Sequence, residues 1–353
     1  MQLTGKKRVI VCSLVGAALL LAGAAWWWSR RPVSLDSDRF MIMGTFGRVR
    51  LICRGRRPAR GALTDLQQCF EQLDQLLSTY REDSQLSQVN RRAHLEPVFL
   101  NTLTYQVLAK ALDYSRLTGG AFDITVTPLI DLWKRAEQEN RLPSPQEITS
   151  VRRSISYQHI QLSGPENPSV SFSQAGVKIN VDAIAKGFVV DQALAALDRP
   201  GILAAMVDIG GEIACFSRDN CEKIWLVGIQ DPYAQENDNP LYEKPLWKIR
   251  LKNAAIATSG NYRHYVKIDG KMYSHIIDPR TGQPAQTLPS VTVIAPTTMD
   301  ADALATAISV LGPDEGLKLI ESQPGVEAFL VVGTSENPRL IRSSGFAQYE
   351  VTE

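Results

Sequence analysis

Residues 262–277 run Tyr262-Arg263-His264-Tyr265-Val266-Lys267-Ile268-Asp269-Gly270-Lys271-Met272-Tyr273-Ser274-His275-Ile276-Ile277. Two β-rich runs flank Asp269-Gly270, a pair suited to the positive-φ positions of a two-residue hairpin turn. Strands joined this tightly pair antiparallel. Outward from the hairpin, residues 46–53, 204–209, 224–229 and 290–295 are further strand candidates, and short β-rich runs broken by Gly and Pro fill residues 157–180.

Helices are set among these strands without strict βαβ alternation. In residues 61–77 the apolar positions Leu63, Leu66, Phe70, Leu73, Leu76 and Leu77 fall on one face of a 3.6-residue period. A second helix over 101–117 has Asn101 as cap and Gly119-Gly120 as its stop. A third starts at Ser144-Pro145 with Glu147 completing a capping box. Helices over 183–197 and 301–311, then a closing helix-strand-strand run, complete the pattern. The expected fold is α+β, mainly antiparallel sheets with inserted helices, rather than a doubly wound sheet. No G-x-G-x-x-G or Walker sequence occurs, and no solenoid repeat.

A chain of 353 residues with 44% hydrophobic side chains can bury a substantial core. Its net charge of +1 provides no general field to gather nucleic acid. Residues 1–34 stand apart as a membrane anchor or signal, with 35–353 as the body. Lys6, Lys7 and Arg8 precede an apolar run over 9–28 that ends in Trp26-Trp27-Trp28, followed by Arg30 and Arg31. About twenty helical residues span roughly 30 Å, the thickness of a hydrocarbon core. One transmembrane helix fits, with the Trp and Arg residues as its interfacial belt; a secretory signal cleaved in the small residues 22–25 is the competing reading. Either places the body outside the cytoplasm, on the periplasmic side of an inner membrane. A linker is expected over 32–38. Cys215 and Cys221 flank a polar turn and admit two readings, a small disulfide or two free thiols.

Three clusters could carry chemistry. His275 ends a hairpin strand with Asp278 three residues on, the rim position where loops build sites. In the run 300–306, Asp302 and Thr306 are i and i+4 on a helix, so a carboxylate and a hydroxyl converge; two hard oxygens suit Mg2+, while helix capping and packing form the plainer reading. The run 180–187, Asn180-Val181-Asp182-Ala183-Ile184-Ala185-Lys186-Gly187, joins a helix start to a lysine and suits phosphate. Asp208-Ile209-Gly210-Gly211-Glu212 adds a turn that a ligand could approach, or a plain β-turn.

Taken in order, these stretches resemble the ApbE family of flavin transferases. The resemblance is carried by Met43-Gly44-Thr45, Ser78-Thr79-Tyr80 through Leu86 and Asn90, and Gly120-Ala121-Phe122-Asp123 through Pro128 and Trp133. Ala185-Lys186-Gly187 with Asp191, the run 208–211, Thr258-Ser259-Gly260, the run 275–282 and the run 302–306 complete it. It covers about residues 40–332.

The resemblance implies an FAD site contacted by Met43, Tyr80, Ala121, Phe122, Asp123, Lys186 and Ile276, and Mg2+ held by the Ala183 carbonyl, Asp302 and Thr306. It implies transfer of FMN from FAD to a Thr or Ser of an acceptor redox protein, with AMP released and His275 as general base. One departure stands out: the family's usual Asp six residues before the Lys is Asn180 here, retained as an expected cofactor contact, with a carboxylate at Asp182 instead. Two alternatives share the site, an FAD pyrophosphatase and a non-catalytic membrane-tethered flavin-binding protein.

Overall fold

The computed structural model describes residues 31–234, 245–260 and 265–351. The expected N-terminal membrane segment and the start of the 262–277 hairpin stretch, Tyr262 to His264, lie outside the described residues. No helix among the described residues is long and apolar enough to cross a membrane.

The chain begins with β1 (Pro32–Asp36), β2 (Phe40–Ile42) and β3 (Thr45–Arg54), followed by α1 (Arg56–Leu77) and α2 (Gln85–Arg92). Next come β4 (Val98–Phe99), α3 (Thr102–Leu117), α4 (Thr127–Gln138), α5 (Pro145–Arg152), β5 (Ile160–Leu162) and β6 (Ser169–Phe172). The centre holds α6 (Asp182–Leu197), β7 (Ile202–Ile209), β8 (Glu212–Ser217), β9 (Trp225–Ile229), β10 (Trp247–Leu251) and β11 (Ala254–Gly260). A hairpin of β12 (Tyr265–Ile268) and β13 (Lys271–Ser274) leads to β14 (Ser290–Ala295), α7 (Thr298–Leu311), α8 (Pro313–Glu321), β15 (Glu327–Thr334) and β16 (Asn337–Arg342).

The fold is α+β. Among the described residues a nine-stranded sheet runs in the order β1-β3-β7-β8-β11-β14-β15-β16, with β2 also on β3. Its pairings are antiparallel. One face carries α1, α6 and α7 over the larger core; the other is covered by the β9–β10 pair and Phe346, whose apolar side chains form a second core with Met206, Ile256 and Phe329. A third cluster joins α4 and α5 to the β12–β13 hairpin through Leu129, Trp133, Ile148, Val266 and Ile268.

Local chemistry accounts for several boundaries. The Asn101 side chain accepts from the Leu103 N–H, and the Ser144–Glu147 capping box forms at both bonds. Asp269 and Gly270 take φ of 47° and 74°, the turn expected between β12 and β13. Three expectations need correcting. The supposed linker is edge strand β1, because its backbone pairs with Arg50–Arg54 of β3. Helix α1 starts five residues before Gly61, since Pro58 is tolerated in a first turn. Strands β8, β10 and β11 did not stand out in the sequence; Thr258-Ser259-Gly260, one of the stretches that carry the family resemblance, forms the end of β11. Cys215 and Cys221 are free thiols, the second of the two readings.

Candidate active site

Helices α6 and α7 cross at Gly187. A Cβ there would lie 2.4 Å from the Thr298 carbonyl oxygen and 2.8 Å from the Met299 Cα, so only glycine permits the approach. Both helices are buried over most of their circumference and rich in Ala, which suits close packing. The crossing is fastened electrostatically. The Asp191 carboxylate accepts the Thr298 and Met299 N–H groups at 2.7 and 2.9 Å, occupying the positive N-terminus of α7. Asp300 anchors the same turn to α3 through Lys110 at 2.8 Å and the Tyr114 hydroxyl at 2.6 Å.

One turn on, Asp302 is 4% exposed and its Oδ2 accepts the Gly187 N–H at 3.0 Å. That N–H is the donor an α-helix directs at the carbonyl of Ala183. Thr306, the next residue on the Asp302 face, is 3.2 Å from the Ser259 hydroxyl of β11. Sequence reasoning singled out Asp302 with Thr306 by their i,i+4 spacing. The contacts add what separates it from Asp300, which is engaged in anchoring while Asp302 turns inward toward Lys186.

Lys186 forms an ion pair with Glu212, which opens β8 and is 2% exposed. Burial alone would lower the pKa of the Lys186 ammonium, but Glu212, Asp302 and Asp182 together hold it above its ordinary value. Burial pushes Glu212 up to about 7, the Lys186 charge opposing this and the Asp302 charge adding to it. Asp302 is raised as well, chiefly by burial, with Lys186 and the Gly187 N–H opposing. Glu212 was not among the expected site residues. Its signal was a carboxylate at the start of the otherwise apolar run Glu212-Ile213-Ala214-Cys215-Phe216, directly after Gly210-Gly211. Those glycines, at φ of 68° and 103°, make the two-residue turn between β7 and β8.

Of the expected flavin contacts, Met43 reaches this cluster through the Gly210 turn, and Tyr80 and Asn180 reach it through Asp182. Met43 has a positive φ of 46° in the β2–β3 turn, beside the Gly210 turn, where the Gly210 N–H donates to the Phe46 carbonyl at 2.9 Å. The Tyr80 ring is 82% exposed; its hydroxyl is held above the usual range first by the negative charge of Asp182, then by burial. The residues flanking Tyr80 are clamps. Ser84 donates to the Ser78 carbonyl at 2.5 Å, and the Asn90 amide pairs with both backbone groups of Ile179, at 2.8 and 2.9 Å. Asn180 donates to Asp182 at 3.0 Å and accepts its N–H at 2.6 Å, so its amide shapes the start of α6. Ala183 follows, half-buried in the first turn.

Ala121 and Phe122 are each 2% exposed, Phe122 edge-on to Tyr114. Asp123 is tied to the Thr125 N–H and hydroxyl and to the Tyr157 N–H at 2.7–2.8 Å. All three therefore hold the turn after α3 in place from within. The Asp123 carboxyl is raised by burial despite these donors.

His275 is exposed at the end of β13. Behind it Ile276 is buried, its N–H donating to the Ser274 hydroxyl at 3.0 Å and its carbonyl accepting from Ala285 at 2.8 Å. The following loop closes on itself through Asp278, which accepts the Arg280 N–H at 2.8 Å and pairs with its guanidinium at 2.9 Å. Trp133 Nε1 donates to the Gly282 carbonyl at 3.0 Å and docks the loop on α4.

A family model, that of the ApbE family, matches residues 43–330. An FAD:protein FMN transferase of Treponema pallidum is 31% identical over 339 residues, covering 92% of this chain and 90% of the relative. One of Vibrio cholerae is 32% identical over 311 residues, covering 87% and 90%. Among solved structures, the flavin transferase ApbE from Vibrio cholerae matches with a TM-score of 0.74 at 29% identity, over 90% of this chain and 100% of that one. The ApbE protein of Thermotoga maritima matches at 0.76 and 30% identity, over 91% and 100%.

Proposed function

The chain belongs to the ApbE family and is an FAD:protein FMN transferase, and from that premise we propose a Mg2+-dependent transfer to a Thr or Ser hydroxyl of an acceptor redox protein. The observation that carries this reading is the α6–α7 crossing, where the buried Asp302 stands beside Lys186 and one helical turn before Thr306.

The donor set fits the ion. Asp302, Thr306 and the Ala183 carbonyl offer hard oxygens, the chemistry Mg2+ prefers. Lys186 faces three carboxylates, Asp182, Glu212 and Asp302, so with all four groups ionised the cluster carries two negative charges in excess, matched by one divalent cation. No group of three or more His, Cys, Asp and Glu side chains gathers into a metal cage among the described residues, so phosphate and water would have to complete the octahedron of an ion held there. Bound there, Mg2+ supplies positive charge that neutralises the FAD diphosphate.

The protein's own groups do the rest. Lys186 holds the diphosphate. Met43, Tyr80, Ile276 and the Asn180 turn frame the flavin nucleotide, while Ala121, Phe122 and Asp123 fix the wall behind it. The acceptor hydroxyl oxygen bonds to the FMN-side phosphorus, the bond from that phosphorus to the bridging oxygen breaks, and AMP leaves with the bridging oxygen. The hydroxyl proton passes to the His275 imidazole, which acts as general base. The apolar run over 9–28 tethers the body to the inner membrane on its periplasmic side, where membrane redox proteins are within reach.

Intact-mass spectrometry of a Thr-containing acceptor, incubated with enzyme, FAD and Mg2+, tests the reading. The expected result is a gain of one FMN less water, with AMP released and both lost when Mg2+ is omitted. Free FMN and AMP without a mass gain would replace the transferase by a pyrophosphatase. N-terminal sequencing of membrane-fraction protein tests the tether, since a new terminus near Ala25 identifies a cleaved signal.

A further inference from the structure

Glu212 is a buried carboxylate in a strand that otherwise serves the core. One oxygen, Oε1, takes the Lys186 ammonium; the other, Oε2, is fully enclosed and has no hydrogen-bond partner. An enclosed charge with an unsatisfied oxygen opposes folding, and an apolar side chain of similar size would pack there more favourably. Its position gives the group a purpose. A Cβ on Gly210 would come within 3.3 Å of Oε2 and 2.8 Å of the Thr45 hydroxyl, so the bare Gly210 backbone lets the Met43-Gly44-Thr45 turn settle close above the carboxylate. Glu212 thus lies where the Met43 turn, Lys186 and the Asp302 end of the crossing meet.

We propose that Glu212 is a positioning residue of the transfer site, fixing the direction of the Lys186 ammonium and seating the Met43 turn so that both meet the FAD nucleotide together. The proposal rests on the reading of Lys186 as an FAD contact. Without Glu212, Lys186 has a flexible four-carbon stem and rotates toward Asp182, Asp302 or solvent, and its donors are no longer pre-aimed. The effect belongs to substrate binding, so it falls on KM and on the affinity for FAD and much less on kcat.

The test is a double-mutant cycle of Glu212→Gln and Lys186→Gln. FAD affinity is read by flavin fluorescence, with and without Mg2+, alongside KM, kcat and the thermal midpoint. Glu212→Gln is expected to weaken FAD binding and raise KM about tenfold, the scale of one charge-assisted hydrogen bond. It should change kcat less than about threefold and leave the midpoint at or above that of the wild type. In the Lys186→Gln background it should add less than about twofold. Wild-type affinity in Glu212→Gln, or effects that multiply in the double variant, would overturn the proposal. A Lys186→Gln variant that binds FAD normally would remove its premise by refuting the Lys186 contact. Glu212→Asp keeps the charge but withdraws it by one methylene; it is expected to raise KM in the same direction and carries the test if Glu212→Gln does not fold.

Discussion

The α6–α7 crossing and the His275 loop, on which the proposed transfer draws together, stand on opposite kinds of ground. The crossing is built of Ala, Gly and enclosed carboxylates and is tied to the sheet on one side and to α3 on the other. Burial there leaves Glu212 and Asp302 raised and Lys186 held as an ammonium. The His275 loop belongs to the lobe of α4, α5 and the β12–β13 hairpin, which has its own small core; the docking bond from Trp133 reaches Gly282, seven residues along from the exposed histidine. The difference suggests a division of labour. In the proposed transfer, charge fixed before substrate arrives would sit in the crossing, and the base that meets an incoming protein hydroxyl would sit at an accessible rim.

The sharpest challenge to that division is His275→Ala. As general base, its loss should lower kcat by about two to four orders of magnitude while FAD affinity, measured by flavin fluorescence, stays at the wild-type value. An equal loss of FAD affinity would move His275 from the acceptor side to the nucleotide side. Gly187→Ala probes the other region. Its methyl would press into the Thr298 backbone, so a stability loss of about 2–4 kcal/mol in urea unfolding is expected, with weaker Mg2+ dependence as Asp302 is pushed away.

Glu212 sharpens the comparison through pH. Its folded pKa of about 7 lies above the ordinary carboxylate value of 4.5, so the folded chain binds more protons than the unfolded chain between those limits. Its contribution to stability is fully present below pH 4.5 and is lost as pH rises to about 7, of order 1–3 kcal/mol. Urea midpoints across that window should fall in the wild type and fall less in Glu212→Gln. The smallest effect is expected from Trp133→Phe, which deletes the bond to Gly282 while keeping an aromatic ring. About 1 kcal/mol of lobe stability and a few-fold of kcat should go, with FAD affinity unchanged; hydrogen exchange in the 278–285 loop would report it.

Much of the local architecture was legible from residue order alone. Asn101, the Ser144–Glu147 box and the Asp269-Gly270 turn act within a few residues, so their chemistry is local, and the structure has them as expected. The i,i+4 relation of Asp302 and Thr306 was equally plain. The edge strand β1 was not, because five residues next to an apolar run signal a strand only when β3 is there to pair with.

The site divides along the same line. Sequence by itself determined the ordered series of stretches that marks an ApbE flavin transferase, and with it the carboxylate, hydroxyl, lysine and histidine of the proposed site. Tertiary structure decided which of them share a charge environment. Asp300 became an anchor and Asp302 an enclosed carboxylate facing Lys186, Asp123 and Asn180 became shapers of turns, and Glu212, named in the sequence only as the end of a turn, joined the cluster. The physical reason is that desolvation and charge coupling depend on distance in space. Lys186 and Glu212 are 26 residues apart, and Gly187 and Asp302 are 115 apart; only the folded sheet and the glycine crossing bring them together.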